Sequence, residues 1–347
     1  MSVRAGVRAA MSAAQMESRE RWPVCIIGAG PCGLAAAVAM HAAGIPAVVF
    51  DAGSVCSSIA GYPTYLSFFS TAEKISVGGL PFPVATEKPT RRDALAYYRA
   101  VVTHFGLRVR QYEPVERVSH DGAQFVVRAR PRGGEPTEAC ASAVVVATGY
   151  FGTPNRIGVP GEDLPHVTHT FLEGHEAFQR TALVIGGGNS AVETALDLYR
   201  AGAAVTVVHF GPTFDKNIKP WVLPDFEGRV REGSIRVLWN ARVESIAHAS
   251  AQVRVEGAVT TVDAQHVYVM TGYTPRPELL EGLGVTVDAT TGVPVHDAAT
   301  METPTRGVFI AGVLASGFDA NKIFIENGRD HGTLIARALV ARAAAQA

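Results

Sequence analysis

The chain has 347 residues, 47% of them hydrophobic and only 18% charged, which excludes a generally disordered chain and leaves room for two domain-sized cores. Its 31 basic and 32 acidic residues nearly cancel and no run of Lys/Arg breaks the balance, so nucleic acid and anionic membrane are excluded as main partners and small molecules are expected. Glycine is in excess, at 35 residues against an average of about 7%, and the positions of those glycines organise the rest of the chain.

Residues 1–21 set Arg4, Arg8, Arg19 and Arg21 in an alanine and serine background without the apolar segment of a secretion signal. They read as a flexible extension, with Met11 and Met16 as alternative starts. Val24–Ile27 is a short apolar run of strand type, followed at once by Gly28-Ala29-Gly30-Pro31-Cys32-Gly33 and an alanine-rich helical stretch to His41. Ala43-Gly44 ends that helix, and Ala47–Phe50 is a second strand with Asp51 and Ala52 at its tip. The stretch from Leu34 to Phe50 is interrupted by His41, Gly44 and Pro46, and nothing reaches the ~18 uninterrupted apolar residues of a membrane span, so a soluble chain is expected. Ala143–Ala147 is a buried-strand run stopped by Thr148-Gly149.

The strand, loop and helix order then repeats: Leu183-Val184-Ile185, Gly186-Gly187-Gly188-Asn189-Ser190-Ala191, and a helical stretch to Arg200. Ala201-Gly202 ends this helix at the same offset as Ala43-Gly44, and Val205–Val208 follows with His209 and Phe210 at its tip. Val267–Met270 stops at Thr271-Gly272. Gly307–Ala311 leads to Gly312-Val313, a loop carrying Lys322 and Ile323, and a helical segment from about Asn321 to Ala345.

In each repeat the first two glycines let the backbone turn tightly and approach a pyrophosphate, and the small third residue lets helix and strand pack, while amides at the helix start meet phosphate charge. Asp51 and His209 occupy equivalent tips. An acid there suits the unmodified adenosine ribose of FAD, whereas an imidazole tolerates the 2′-phosphate of NADPH. The plain alternatives are a turn carboxylate and a surface imidazole. The order predicts an α/β fold of two Rossmann-like domains, the NADPH domain of residues 154–274 inserted into an FAD domain of residues 22–153 and 275–347. Pro154, Pro160, Gly161, Pro275 and Pro277 are the expected hinges.

Four cysteines, Cys25, Cys32, Cys56 and Cys140, form no Cys-x-x-Cys pair, which argues against a disulfide framework or zinc ribbon and for a reducing compartment, the cytoplasm. His166, His169 and His175 lack an acid or cysteine at ligand spacing, so no metal is expected. Cys32 stands at a helix start, where amide dipoles are expected to lower its thiol pKa. Its plain alternative is a small side chain beside a phosphate.

Over nearly all of residues 22–345 the chain resembles the small thioredoxin reductases, and more closely the YpdA-type bacillithiol disulfide reductase family. The matching motifs are Gly28–Gly33, Ser67-Phe68-Phe69-Ser70-Thr71, Glu87-Lys88-Pro89-Thr90, Val159-Pro160-Gly161-Glu162-Asp163, Gly186–Ala191, Ile218-Lys219-Pro220-Trp221, Met270-Thr271-Gly272-Tyr273 and Ile323–Arg329. The resemblance implies FAD held by Gly28, Ala29, Gly30, Pro31, Cys32, Gly33, Asp51, Ala52, Thr148, Gly149, Gly312, Val313, Lys322 and Ile323. It implies NADPH held by Gly186, Gly188, Asn189, Ser190, Ala191, His209, Phe210, Lys216, Lys219, Thr271 and Gly272.

It further implies reduction of a low-molecular-weight thiol disulfide, with Cys32 as the catalytic thiol, in a homodimer or larger homo-oligomer. Thioredoxin reductases have Gly-Asp where this chain has Gly312-Val313, and NADPH-preferring relatives tend to have arginine where it has Phe210. Lys74, Arg91, Lys219 and Lys322 are candidate cations at the entrance for an anionic disulfide. A ferredoxin- or flavodoxin-NADP reductase, a flavin monooxygenase and a slow redox sensor are the competing readings.

Overall fold

A computed structural model describes residues 20–215, 218–275 and 277–346 and divides into two units. In the first, β1 (Glu20–Ile27), α1 (Pro31–Ala42), β2 (Ala47–Phe50), α2 (Ser57–Ala60), α3 (Ala72–Ile75), α4 (Arg91–His104), β3 (Arg108–Arg110), β4 (Val115–His120), β5 (Phe125–Ala129) and β6 (Thr137–Val146) follow one another. Val24–Ile27 and Ala143–Val146 are buried without interruption, the pattern of strands covered on both faces of a parallel sheet. Strands β3, β2, β1 and β6 are parallel neighbours. The first half of β6 carries the antiparallel β5–β4 hairpin.

The second unit contains β7 (Val167–Thr168), β8 (Thr181–Ile185), α5 (Asn189–Arg200), β9 (Ala204–Val208), α6 (Leu223–Arg231), β10 (Ile235–Leu238), β11 (Ala241–Ala247), β12 (Ser250–Val255), β13 (Ala258–Asp263) and β14 (His266–Val269). Its parallel sheet runs β10-β9-β8-β14-β7, with β11-β12-β13 as a separate antiparallel sheet. Side chains alternate between the faces: Ala182, Val184, Val205 and Val207 join the core with α5 and Phe226, while Leu183, Ile185 and Val208 join the core with Ala251, Val253 and Val262 of the small sheet. The chain then returns to the first unit as α7 (Glu278–Glu281), β15 (Val308–Ile310), α8 (Ile325–Gly328) and α9 (His331–Gln346). Strand β15 pairs in parallel with the second half of β6, so the end of β15 lies beside the end of β6.

Four sequence expectations change. Glu20 and Arg21 pair with Ala139 and Cys140 in the sheet, so they are strand and not extension, and residues 1–19 lie outside the described residues. Gly61–Leu66 groups with the second unit, because Thr64 donates its amide to the Leu172 carbonyl at 2.9 Å. Pro160-Gly161 is not a hinge: the Pro160 carbonyl accepts the Ile246 amide at 2.8 Å, and Gly161 lies so close to the Ile246 carbonyl that a Cβ would collide with it. The helix expected from about Asn321 is broken into α8 and α9. Asn327 caps the short first piece by accepting the Phe324 amide at 2.8 Å.

Helix α4 opens with a reciprocal cap. The Thr90 hydroxyl accepts the Asp93 amide at 3.2 Å, and the Asp93 carboxylate accepts the Thr90 amide at 2.9 Å. The Thr90 hydroxyl, then its amide, hold the Asp93 carboxyl below its ordinary range. A depressed acid stabilises above its unfolded pKa and loses that contribution as pH falls through the folded value. Thr90→Ala is expected to weaken the first turn of α4 by about 1 kcal/mol, read as faster amide exchange at Asp93 and Ala94 near neutral pH. The difference from the native protein should shrink in acid.

Candidate functional site

Both glycine loops are built by close backbone approach. Gly28 turns with φ +112°, and a Cβ there would collide with the Ala147 carbonyl, as one on Gly33 would with the carbonyl of Gly28. Packing alone requires glycine at these two positions. Gly30 differs: its φ is −73° and no protein atom lies within 4 Å of where its Cβ would stand. Packing within the protein therefore does not require glycine at this position, whereas close approach of a pyrophosphate to the backbone would. In the second loop a Cβ on Gly186 would collide with the Met270 carbonyl, and Ala191 takes the third small position.

The two helix starts are open in the same way. Gly30 caps α1 and Gly188 caps α5, neither with a side-chain hydrogen bond and neither with an acid in the first turn, in contrast to α4. Their first amides are anion sockets, and this fits the phosphates of two dinucleotides.

Around the first socket, Asp51 accepts the Ala29 amide at 2.6 Å and the Gly53 amide at 2.7 Å. It therefore fastens the loop as well as standing at the strand tip, with Ala52 exposed beside it. Thr148-Gly149 adjoins Gly28, since the Thr148 amide nitrogen lies 3.2 Å from the Gly28 Cβ position. Gly312 (φ +75°) and Gly328 both press on Cys32: a Cβ on Gly312 would lie 3.1 Å from Sγ and one on Gly328 2.9 Å from it. Ile323 packs against Gly328, whereas Lys322 points to the surface and pairs with Asp319 at 3.6 Å. Val313 follows Gly312 and is half-buried. The Gly312 amide donates to Nδ1 of His331 at 3.1 Å, a partner 19 residues away that the motif reading missed. Burial, then His296, lower the His331 pKa, so its ring stays neutral and able to accept that bond.

The sulfur of Cys32 does not behave as its helix position suggests. Burial first, then Asp330, push the thiol pKa up to about 12, because packing between Gly312 and Gly328 removes the water that a thiolate needs, which outweighs the helix dipole. Cys25 and Cys56 are pushed up by burial as well. The folded chain thus holds protons that the unfolded chain releases, and stability falls as pH rises past the ordinary thiol value.

In the second unit Ser190, the counterpart of Cys32, is exposed. Asn189 accepts the Lys219 amide at 2.8 Å, and the Lys219 ammonium bonds Glu193 at 2.7 Å. Thr271-Gly272 is held by Asn155, whose carbonyl accepts the Thr271 hydroxyl at 2.6 Å and whose amide donates to the Gly272 carbonyl at 2.9 Å. Lys216 lies outside the described residues. His209 is buried at 3% exposure with Phe210 exposed beside it. Two residues absent from the motif reading also reach this tip: the Asp215 carboxylate lies 3.3 Å from the Gly188 Cβ position, and the Arg242 guanidinium lies over the Phe210 ring. No local pattern marks either residue.

The expected entrance cations are all paired. Lys74 meets Glu326 at 3.6 Å, Arg91 donates to the Ile59 and Ala60 carbonyls that end α2, and Lys219 and Lys322 are engaged as above. Of the three histidines considered for a metal, His169 bonds the buried Glu162 at 2.8 Å and His166 the Ala247 carbonyl at 3.0 Å. No group of three or more metal-ligating side chains is assembled among the described residues.

The model of the pyridine nucleotide-disulphide oxidoreductase family matches residues 25–312. The bacilliredoxin reductase of Bacillus subtilis (strain 168) is 45% identical over 318 residues, 91% of this chain and 97% of the relative. The bacillithiol disulfide reductase of Bacillus cereus superposes with a TM-score of 0.91 at 44% identity, over 93% of this chain and 100% of that one. Its counterpart from Staphylococcus aureus gives 0.88 at 39%, over 93% and 99%.

A thiol pKa of about 12 in place of 9.0 leaves roughly a thousandth of the thiolate at pH 8. Cys32 in the native protein is therefore expected to react with iodoacetamide about three orders of magnitude more slowly than in urea, followed by peptide-resolved mass spectrometry. Equal rates would contradict the burial.

Proposed function

The chain belongs to the pyridine nucleotide-disulphide oxidoreductase family, and from that membership we propose that it is an NADPH-dependent, FAD-containing reductase of a low-molecular-weight thiol disulfide, bacillithiol disulfide. The observation that carries the reading is the presence of two uncapped glycine sockets in one chain, one of them with a thiol, Cys32, in its loop. When both cofactors are bound, FAD relays electrons from NADPH to a disulfide. The amides of Ala29, Gly30 and the first turn of α1 would hold the FAD pyrophosphate, with Asp51 fixing the loop. The amides from Gly188 to Ala191 would hold that of NADPH.

Cys32 is the nucleophile in this reading. Its sulfur attacks one sulfur of the substrate, the S–S bond breaks, the first thiol leaves with the proton from Cys32, and the mixed disulfide persists until two electrons and two protons release the second thiol and restore the Cys32 thiol. Cys32 is half-buried, and burial of its thiol opposes the first step, since Sγ must lose its proton.

The four free cysteines support a reducing compartment, the cytoplasm, and no helix among the described residues is long and apolar enough to cross a membrane. A homodimer or larger homo-oligomer belongs to the same reading. One relative is named for a bacilliredoxin and two for bacillithiol disulfide, so protein and small disulfides need direct comparison.

The purified protein is expected to show flavin absorbance and to oxidise NADPH faster with bacillithiol disulfide than with the disulfides of glutathione or coenzyme A, or with an oxidised bacilliredoxin alone. Cys32→Ala is expected to lower kcat by about two orders of magnitude with the flavin retained. Full turnover by that variant would replace the thiol route with direct reduction.

A further inference from the structure

The tip of the second nucleotide strand needs a cation if the ribose that reaches it carries a 2′-phosphate. The residues the motifs nominate are poorly placed to supply one. The His209 ring lies on the backbone of the loop, so that a Cβ on Gly187 would run into it and one on Gly211 would come within 2.9 Å of Nε2. It is a wall of the site, with Nδ1 buried and without a hydrogen-bond partner among the described residues. Phe210 is 63% exposed and carries no charge. The Lys219 ammonium is held by Glu193.

Arg242 has the missing charge. Its guanidinium carbon lies 5.2 Å from the centroid of the Phe210 ring. The backbone explains why a residue of β11 arrives there, because the chain leaving β10 folds back along the tip of β9. His209 donates its amide to the Leu238 carbonyl at 3.0 Å, Ala241 donates to the His209 carbonyl at 2.9 Å, and Asn240 to the Gly211 carbonyl at 3.1 Å. Arg242 is the next residue.

Its neighbours leave the charge uncompensated. Arg254 faces it across the β11–β12 pair and takes the nearby Glu244 at 2.5 Å, while no carboxylate among the described residues lies within ion-pair distance of Arg242 itself. A guanidinium lying on an aromatic face keeps its N–H edge free for a phosphate.

We propose that Arg242, seated on Phe210, recognises the 2′-phosphate of NADPH and sets the preference over NADH. The inference rests on the reading of the second unit as the NADPH site. Arg242 is a specificity residue that is distant in sequence from the glycine motif, and Phe210 is its platform.

The test is calorimetric titration of the full-length, flavin-loaded protein with 2′,5′-ADP and with 5′-ADP, which differ only in the phosphate at issue. It is paired with KM measurements for NADPH and NADH. Native protein is expected to bind 2′,5′-ADP more tightly. Arg242→Ala is expected to weaken that ligand about ten- to hundredfold, with the loss confined to the phosphorylated ligand, and to raise KM for NADPH but not for NADH.

Arg242→Lys is expected to restore part of the affinity, Phe210→Ala to lose a smaller part, and Lys219→Gln to lose little. An Arg242→Ala variant that still discriminates like the native protein overturns the assignment and leaves NADPH as donor. Equal loss of both ligands, or transfer of the whole effect to Lys219→Gln, overturns it too. A native protein that does not distinguish the two ligands overturns the assignment and the NADPH reading together.

Discussion

The structure depends on how closely backbone can approach backbone where a parallel strand turns into a helix. At Gly28 and Gly33 the chain comes so near the Ala147 and Gly28 carbonyls that no side chain fits, and Gly186 repeats this against Met270. That approach brings each helix start to the end of its sheet with its first amides unsatisfied. Thr90 and Asp93 close the start of α4 with side chains, whereas the two helices behind the glycine loops start without one. An open start surrounded by packed sheet is a site for phosphate, because the remaining amides and the helix dipole both favour an anion.

The same tight packing decides the state of the thiol. Cys32 stands at a position that on an isolated helix would favour thiolate, as Ser190 does in the exposed copy of the loop. The difference between the two copies lies in what covers them: the end of β15 and the α8 turn press Gly312 and Gly328 onto the sulfur. Desolvation then outweighs the dipole. Reactivity at Cys32 is therefore coupled to the α8–α9 segment, which is itself anchored by the Gly312 amide on His331, by Ser70 on Glu326, and by Arg329 on the Glu73 and Ser76 carbonyls.

What was legible in the sequence was what is local. The apolar runs of β1, β6, β8 and β14, the two glycine loops and the helices behind them each announce themselves within about a dozen residues, and their repetition gave the α/β class. Features made by distant partners were not legible. Nothing near Cys32 foretells Gly328. Nothing near Lys219 marks Glu193 as its partner, and Arg242 stands in an unremarkable strand that only the β9–β10 pairing brings to Phe210. The continuous C-terminal helix failed for a related reason, since nothing local to Asn321–Asp330 shows that Gly328 must approach Cys32.

On the proposed reading, NADPH held by the second unit reduces a flavin held by the first. The most direct measurement is an anaerobic titration of the purified, flavin-loaded protein with NADPH, followed in the visible flavin band with no disulfide present. Bleaching that is complete at about one NADPH per flavin, and is reversed by bacillithiol disulfide, is the expected result. A protein that carries no flavin, or whose flavin band NADPH leaves unchanged, would contradict it.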